Sequence, residues 1–372
     1  MRLYTYFCLC ILLVLVSCNS RKESQQVQAA GNELYADGIS ITKHDGYTLV
    51  CIYNPWEKDA VLHTCVLVPR ENELPENLPQ GSIIRTPIKS ALVYSSVHAN
   101  AIKELGHLPS VTGVCDAQYF TMDEISEGIQ SGAITNAGSS MSPVIEKIIA
   151  LSPEVIILSP FQNAGYGDVA SLNIPIVECA DYMETSPLGR AEWIKLFGAL
   201  YCEEECADSI FTRVTTEYNQ LKQLAEKVPH KPKILSENII NGTWYVPGGD
   251  SYMAKLFADA GGRYAWSDIR TSGSIPLDMP RVLEKAIDAD IWLIKSFDET
   301  FSYSKLKAQN SMNTEFKAFK EKNIYFCNTG KSTFFQDFPF HPEVLLKEYI
   351  SIFHPHFISG YTPKYFKPLI HE

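Results

Sequence analysis

The chain has 372 residues, of which 45 % are hydrophobic and 20 % charged, with a formal net charge of −11. That balance suits folded domains with ordinary cores, and with no long basic run it argues against nucleic acid or a polybasic membrane patch as partner. Ten cysteines are present, but apart from Cys8, Cys10 and Cys18 near the N-terminus they form an odd, scattered set rather than a disulfide framework. Cys51 and Cys65 are expected to face each other across a hairpin, and Cys202 and Cys206 to lie one turn apart on a helix as thiols.

In chain order, Arg2 precedes an apolar run over 7–16 that is too short to cross a bilayer as a stable helix. It ends in Leu15-Val16-Ser17-Cys18, which resembles the lipobox of bacterial lipoproteins. This implies a signal peptide over 1–17, a lipidated Cys18 and, from its polar composition, a flexible tether over 18–37. Residues 38–82 read as an N-terminal β element, with strands flanking an Asn54-Pro55-Trp56 turn. From 83 to 200 the pattern alternates as an α/β lobe: strand 90–94, helix 98–105, strand 111–114, strand 174–177 and helix 187–200. Within it, Ser142 is expected to cap a helix that has Pro143 in its first turn. Val144, Ile145, Ile148 and Ile149 form the helix's apolar stripe, with Glu146 and Lys147 outside it. Ser152-Pro153 stops the helix, and 155–158 has the unbroken apolarity of a strand buried on both faces.

Residues 201–229 carry Ala207, Phe211, Val214, Tyr218, Leu221, Ala225 and Val228 at three- and four-residue steps, which predicts one long helix ended by Pro229 and Pro232. Alone, such a helix is either a rod between lobes or a cover on one. The region 230–372 favours the rod, because a second α/β series follows: strand 233–235, helix 253–260, strand 324–327 and helix 342–353. VLEKAI at 282–287 matches VIEKII at 144–149 residue for residue at Val, Glu, Lys and the final Ile, and an apolar strand follows each copy.

The lipobox, SMSPVIEKIIALSPEVIILSP, LNIPIVE, the long helix, LFADAGG and VLEKAIDADIWLI, in this order, resemble the helix-linked (class III) substrate-binding proteins of bacterial ABC importers. The resemblance covers about residues 83–353 and does not include the N-terminal β element. It implies two Rossmann-like α/β lobes joined by a single long helix. It also implies a bulky ligand (cobalamin, a ferric siderophore or haem) held between the lobes, delivery to an ABC permease, no enzymatic activity and a monomer anchored by lipid outside the cytoplasm. Docking of that family uses one acid on each lobe, and Glu146 matches the first. The second is sought in LFADAGG, where the matching place is Ala258 and the neighbouring Asp259 is the candidate.

Ligands of open α/β sheets bind beyond the carboxyl ends of the strands, and clefts between domains are favoured pockets. The loops after the strands offer Ser95 and His98, Tyr119 and Phe120, Ser139 and Ser140, Phe161 and Gln162, and Tyr182 in the first lobe. In the second they offer Trp244 and Tyr245, Phe297 and Phe335. The family places aromatics at loops corresponding to Phe161 and Trp244. Haem iron would take Tyr119, Tyr182 or His98. No cofactor or direct metal site is expected, although His98, Asp337 and His341 are one conceivable cluster. GKST at 330–333 lacks the earlier glycine of a phosphate-binding loop, because Tyr325 stands there, and neither G-x-S-x-G nor H-E-x-x-H occurs. The alternatives are an extracytoplasmic enzyme on the same scaffold and an accessory surface lipoprotein without a permease.

Overall fold

A computed structural model describes residues 35–297 and 301–370; the expected signal peptide, Cys18 and nearly all of the tether lie outside the described residues. The N-terminal β element is a four-stranded sheet of β1 (Ile39–His44), β2 (Tyr47–Tyr53), β3 (Val61–Pro69) and β4 (Ser82–Thr86), in that order. It therefore runs a few residues past the expected boundary at 82. Buried carboxylates of the first lobe hold its leading edge. Glu192 accepts the backbone N–H groups of Tyr35 (2.7 Å) and Ala36 (3.0 Å), and Glu184 accepts those of Asp37 (3.1 Å) and Gly38 (2.9 Å) and the Trp193 indole N–H (2.8 Å). Val50 is the register partner of Cys65, and Thr64 that of Cys51. The two cysteines thus point to opposite faces of the sheet, and the expected facing pair does not form.

The first lobe is a parallel sheet in the order β11-β10-β5-β6-β7. Its strands are β5 (Ala91–Val93), β6 (Val111–Val114), β7 (Thr135–Asn136), β10 (Val155–Leu158) and β11 (Ile176–Glu178), with a small hairpin of β8 (Gly138–Ser139) and β9 (Ser142–Pro143) between β7 and β10. Its helices are α1 (Ser96–Glu104), α2 (Asp123–Ser131), α3 (Ile145–Leu151), α4 (Pro187–Glu192) and α5 (Ile194–Tyr201). Every side chain of β10 is buried, as its unbroken apolarity requires. The start of α3 differs from expectation. Ser142 and Pro143 pair with the β8 strand, Val144 donates to the Ala137 carbonyl, and the helix begins at Ile145 with no side-chain cap. Of the expected stripe only Ile148 is fully buried; Val144 and Ile149 are exposed.

α6 (Glu204–Ala225) is the long helix, 22 residues or roughly 33 Å. Cys202 caps α5 in a left-handed conformation (φ 58°) and Cys206 lies in α6, so the two do not share one helix. The buried side chains of α6 are Ala207, Phe211, Val214, Tyr218 and Ala225, and the helix packs on α5 of the first lobe and α12 of the second. It therefore both links the lobes and covers them.

The second lobe repeats the plan with the order β15-β12-β17-β18-β19, parallel except for the last strand. The strands are β12 (Lys233–Ser236), β15 (Arg263–Tyr264), β17 (Ile291–Ser296), β18 (Ile324–Asn328) and β19 (Lys367–Pro368). A three-stranded flap of β13 (Ile239–Ile240), β14 (Thr243–Pro247) and β16 (Ser274–Leu277) is added. The helices are α7 (Tyr252–Asp259), α8 (Met279–Ala286), α9 (Tyr303–Gln309), α10 (Lys317–Lys320), α11 (Phe334–Asp337) and α12 (Pro342–Phe353). α8, the counterpart of α3, has the cap that α3 lacks: Asp278 accepts the Arg281 N–H at 3.1 Å, with Pro280 in the first turn. The architecture is the expected one of two Rossmann-like lobes, a linking helix and an additional β element.

Candidate binding cleft between the lobes

The carboxyl ends of four strands converge on one cavity of about 340 Å³. After β5, Ser95 adopts an extended conformation and caps α1, its hydroxyl accepting the Val97 N–H at 3.3 Å, so that Ser95, Ser96 and Val97 form part of the wall. The loop after β6 contributes Tyr119 and Thr121, the end of β17 leads into Phe297, and the segment after β18 brings Thr329, Ser332, Phe335 and Gln336. Tyr119 and Phe297 meet edge to face across the cleft, with ring centroids 6.2 Å apart. Three exposed rings and a row of hydroxyls make this a cavity with aromatic walls and polar fixing points.

Polar contacts between the lobes underlie it. The Gln336 amide donates to the Thr121 hydroxyl, and Asn100 donates to the Gln336 carbonyl at 3.2 Å. His341 lies 2.8 Å from Glu104 of the first lobe and 3.0 Å from Glu343 beside it. Burial alone would lower the His341 pKa, but the hydrogen bonds and charges of Glu104 and Glu343 outweigh it and push the value up to about 10. Deeper still, His98 sits 3.0 Å from Asp181, and Asp181 accepts from Arg190 at 3.0 Å. Burial opposes ionisation of Asp181, yet Arg190 and His98 hold its carboxyl below the usual carboxylate range. The Arg190 guanidinium packs over Tyr252 and Phe338 of the other lobe, 4.8 and 5.3 Å from their centroids.

The expected site residues divide among several places. Ser95, Tyr119, Phe297 and Phe335 line the cleft cavity. Ser140 and Phe161 instead line a second cavity of about 360 Å³ within the first lobe, together with Tyr94, Tyr166 and Asp168. Ser139, Gln162 and Tyr245 are exposed but line neither cavity. Tyr182 is half-buried and donates to the Pro160 carbonyl at 2.6 Å. Three residues belong to the core instead of the cleft surface. Phe120 is buried, His98 is 1 % exposed and committed to Asp181, and Trp244 is fully buried, stacked on Trp292 at 5.5 Å with its N–H on the Ser236 carbonyl. His98, Asp337 and His341 have separate partners, respectively Asp181, the Thr333 and Tyr365 hydroxyls, and the Glu104–Glu343 pair. They do not form a cluster. Of the three side chains considered for haem iron, Tyr119 is the one exposed in the cleft cavity.

The docking candidates also separate. Glu146 is exposed on α3. Asp259 is nearly buried, accepting from Tyr218 at 2.8 Å and pairing with Lys222 at 3.1 Å, so α6 occupies both its oxygens. The repeat identifies a different counterpart: Glu284 of VLEKAI, exposed on α8, stands where Glu146 stands on α3. The exposed Ile149 and Ile287 are likewise equivalent. The sequence had not singled out Thr121, Thr329 or Ser332 for the cleft. Thr329 and Ser332 belong to the segment around GKST, and their position directly after β18 was the available signal.

Two lobes closing a cavity at their strand ends define a solute-binding protein. The comparisons agree: residues 92–329 match the family described as Periplasmic binding protein, and the chain belongs to that family. It is 31 % identical over 299 residues to an uncharacterized lipoprotein of Methanocaldococcus jannaschii, covering 76 % of this chain and 69 % of that one. A second lipoprotein of the same organism is 24 % identical over 319 residues, covering 82 % and 79 %. Among solved structures, a periplasmic heme-binding protein from Pseudomonas aeruginosa has a TM-score of 0.60 at 13 % identity, over 76 % of this chain and 99 % of that one. An ABC-type Fe3+-hydroxamate transport system from Saccharomonospora viridis has a TM-score of 0.56 at 17 % identity, over 72 % and 94 %. These structures share the two-lobed fold.

Proposed function

We propose that the protein is a lipid-anchored extracytoplasmic receptor that captures an iron chelate or a corrinoid between its lobes and delivers it to an ABC permease. The observation that carries this reading is the convergence of Tyr119, Phe297 and Phe335 on a hydroxyl-lined cavity at the strand ends of both lobes. At about 340 Å³ that cavity is at the small end of ligand pockets, so a bulky ligand has to part the Tyr119–Phe297 ring pair as it enters. The heme and Fe3+-hydroxamate proteins of similar fold support an iron-containing ligand; the cleft itself does not separate haem from a siderophore or cobalamin. The His98–Asp181 pair, the nearest approach to a catalytic dyad, is buried against Arg190 away from the cavity, which favours the receptor over an enzyme.

Docking falls to Glu146 and Glu284, one on each lobe, in equivalent helices with an exposed isoleucine one turn on. This replaces Asp259. Absorbance and calorimetric titration with ferrichrome, haemin and cyanocobalamin tests the ligand reading. One of them should form a one-to-one complex, weakened at least about tenfold by Phe297→Ala or Phe335→Ala, as for aromatic anchors in general. Failure of all three, and of ferric citrate as a fourth chelate, refutes it.

A further inference from the structure

We infer that the cleft recognises an anionic oxygen group of its ligand, a carboxylate or oxyanion seated on the amino end of α1. This rests on the receptor reading above and narrows its substrate class. α1 has nine residues, no acidic side chain in its first turn, and its amino end in the cavity wall. The first amides of a helix lack helical acceptors and carry the positive end of its dipole, so they favour a negative ligand group.

An independent feature points the same way. Ser96 is 9 % exposed and lines the cavity, yet its hydroxyl has no protein partner among the described residues. A nearly buried side chain whose hydroxyl the protein leaves unpaired is completed by whatever fills the cavity, water or a ligand oxygen. Ser95 accepts the Val97 N–H and Thr121 accepts the Gln336 amide, and both hydroxyl protons remain available for donation. Thr329 adds a hydroxyl from the opposite lobe, and no carboxylate is among the described lining residues. The acid that reaches α1 from below, Asp181, is already compensated by Arg190 and His98. The described wall is therefore rich in hydroxyls that can donate to an anionic oxygen.

The test is calorimetric titration of the whole protein with two anionic probes, ferric citrate for a carboxylate-bearing chelate and orthophosphate for a free oxyanion, and with ferrichrome as an uncharged chelate. Ferric citrate or orthophosphate should bind, and whichever is tighter identifies the source of the anion. Ser96→Ala should weaken that binding about tenfold, the usual worth of a hydrogen bond to a charged group. Ser96→Asp should abolish it, although an aspartate suits the first turn of a helix and leaves folding intact. Thr329→Val, on the other lobe, should weaken it in the same way without touching α1. Tighter binding of ferrichrome than of either anion, unchanged within about twofold in Ser96→Asp, would overturn the anionic assignment and leave the receptor standing. Failure of all three probes would overturn the anionic assignment, and failure of haemin and cyanocobalamin as well would overturn the receptor reading.

Discussion

His341 offers the sharpest physical test, because it bridges Glu104 of the first lobe to Glu343 of the second. His341→Gln keeps the shape but removes the positive charge, leaving Glu104 and Glu343 to face each other with side chains only 23 % and 7 % exposed. Removing one partner of a fully buried pair costs about 3–5 kcal/mol, and the partial exposure of Glu104 reduces this to about 2–3 kcal/mol. With an unfolding entropy near 2.1 cal/mol/K per residue, a chain of this size should lose roughly 3–4 °C in Tm. The pH dependence carries a sign. The folded pKa is raised to about 10 from 6.5, so the stabilisation is complete below about pH 6.5 and is lost as pH rises through about 10. Wild type should therefore lose its advantage of about 2–3 kcal/mol over His341→Gln across that window. Urea titrations of both proteins between pH 6 and 10 measure this directly. Parallel stability curves would refute a charged His341 as the bridge.

Trp244→Ala should destabilise by about 3–5 kcal/mol, read in thermal melts, while ligand affinity of the folded protein stays within about twofold, because the ring lies in the core. Charge reversal at both Glu146 and Glu284 should block uptake in a reconstituted transport assay with ligand affinity unchanged; full uptake by the double variant removes them as docking points. Asp259→Asn should weaken the contact with Lys222 and Tyr218 by about 1–2 kcal/mol, measured in urea, with uptake per folded molecule unaltered.

What was legible in the sequence was what short-range periodicity encodes. β10 and α12 begin and end where the apolar pattern does, because each is fixed by its own run and its own prolines. α3 started later than expected because Ser142 and Pro143 had a second use, pairing in a hairpin with residues that themselves follow a strand. The site was only partly legible for a related reason. The sequence points to the loops after strands, and Ser95, Tyr119, Phe297 and Phe335 reach the cleft cavity from them. Which loop residue turns inward depends on partners far along the chain: Trp292 and Phe316 pack around Trp244, Asp181 binds His98, and Tyr218 with Lys222 engages Asp259. No local pattern carries that information. The repeat did carry the position of Glu284, since VLEKAI had already been aligned with VIEKII.

The clamp at the start of the N-terminal sheet has a consequence for how this region tolerates mutation. Glu192 and Glu184 grip main-chain amides at residues 35–38, so the grip is indifferent to side-chain chemistry. Asp37 is exposed and free to vary, whereas the Tyr35 ring, though partly exposed, packs edge to face on Phe211 at 5.8 Å. Ala36 is buried, and a Cβ on Gly38 would meet Glu184 at 3.0 Å and Trp193 at 3.1 Å. Divergence at the junction of tether and body should therefore be widest at 37, restricted to rings that reach Phe211 at 35, and closed by size at 36 and 38.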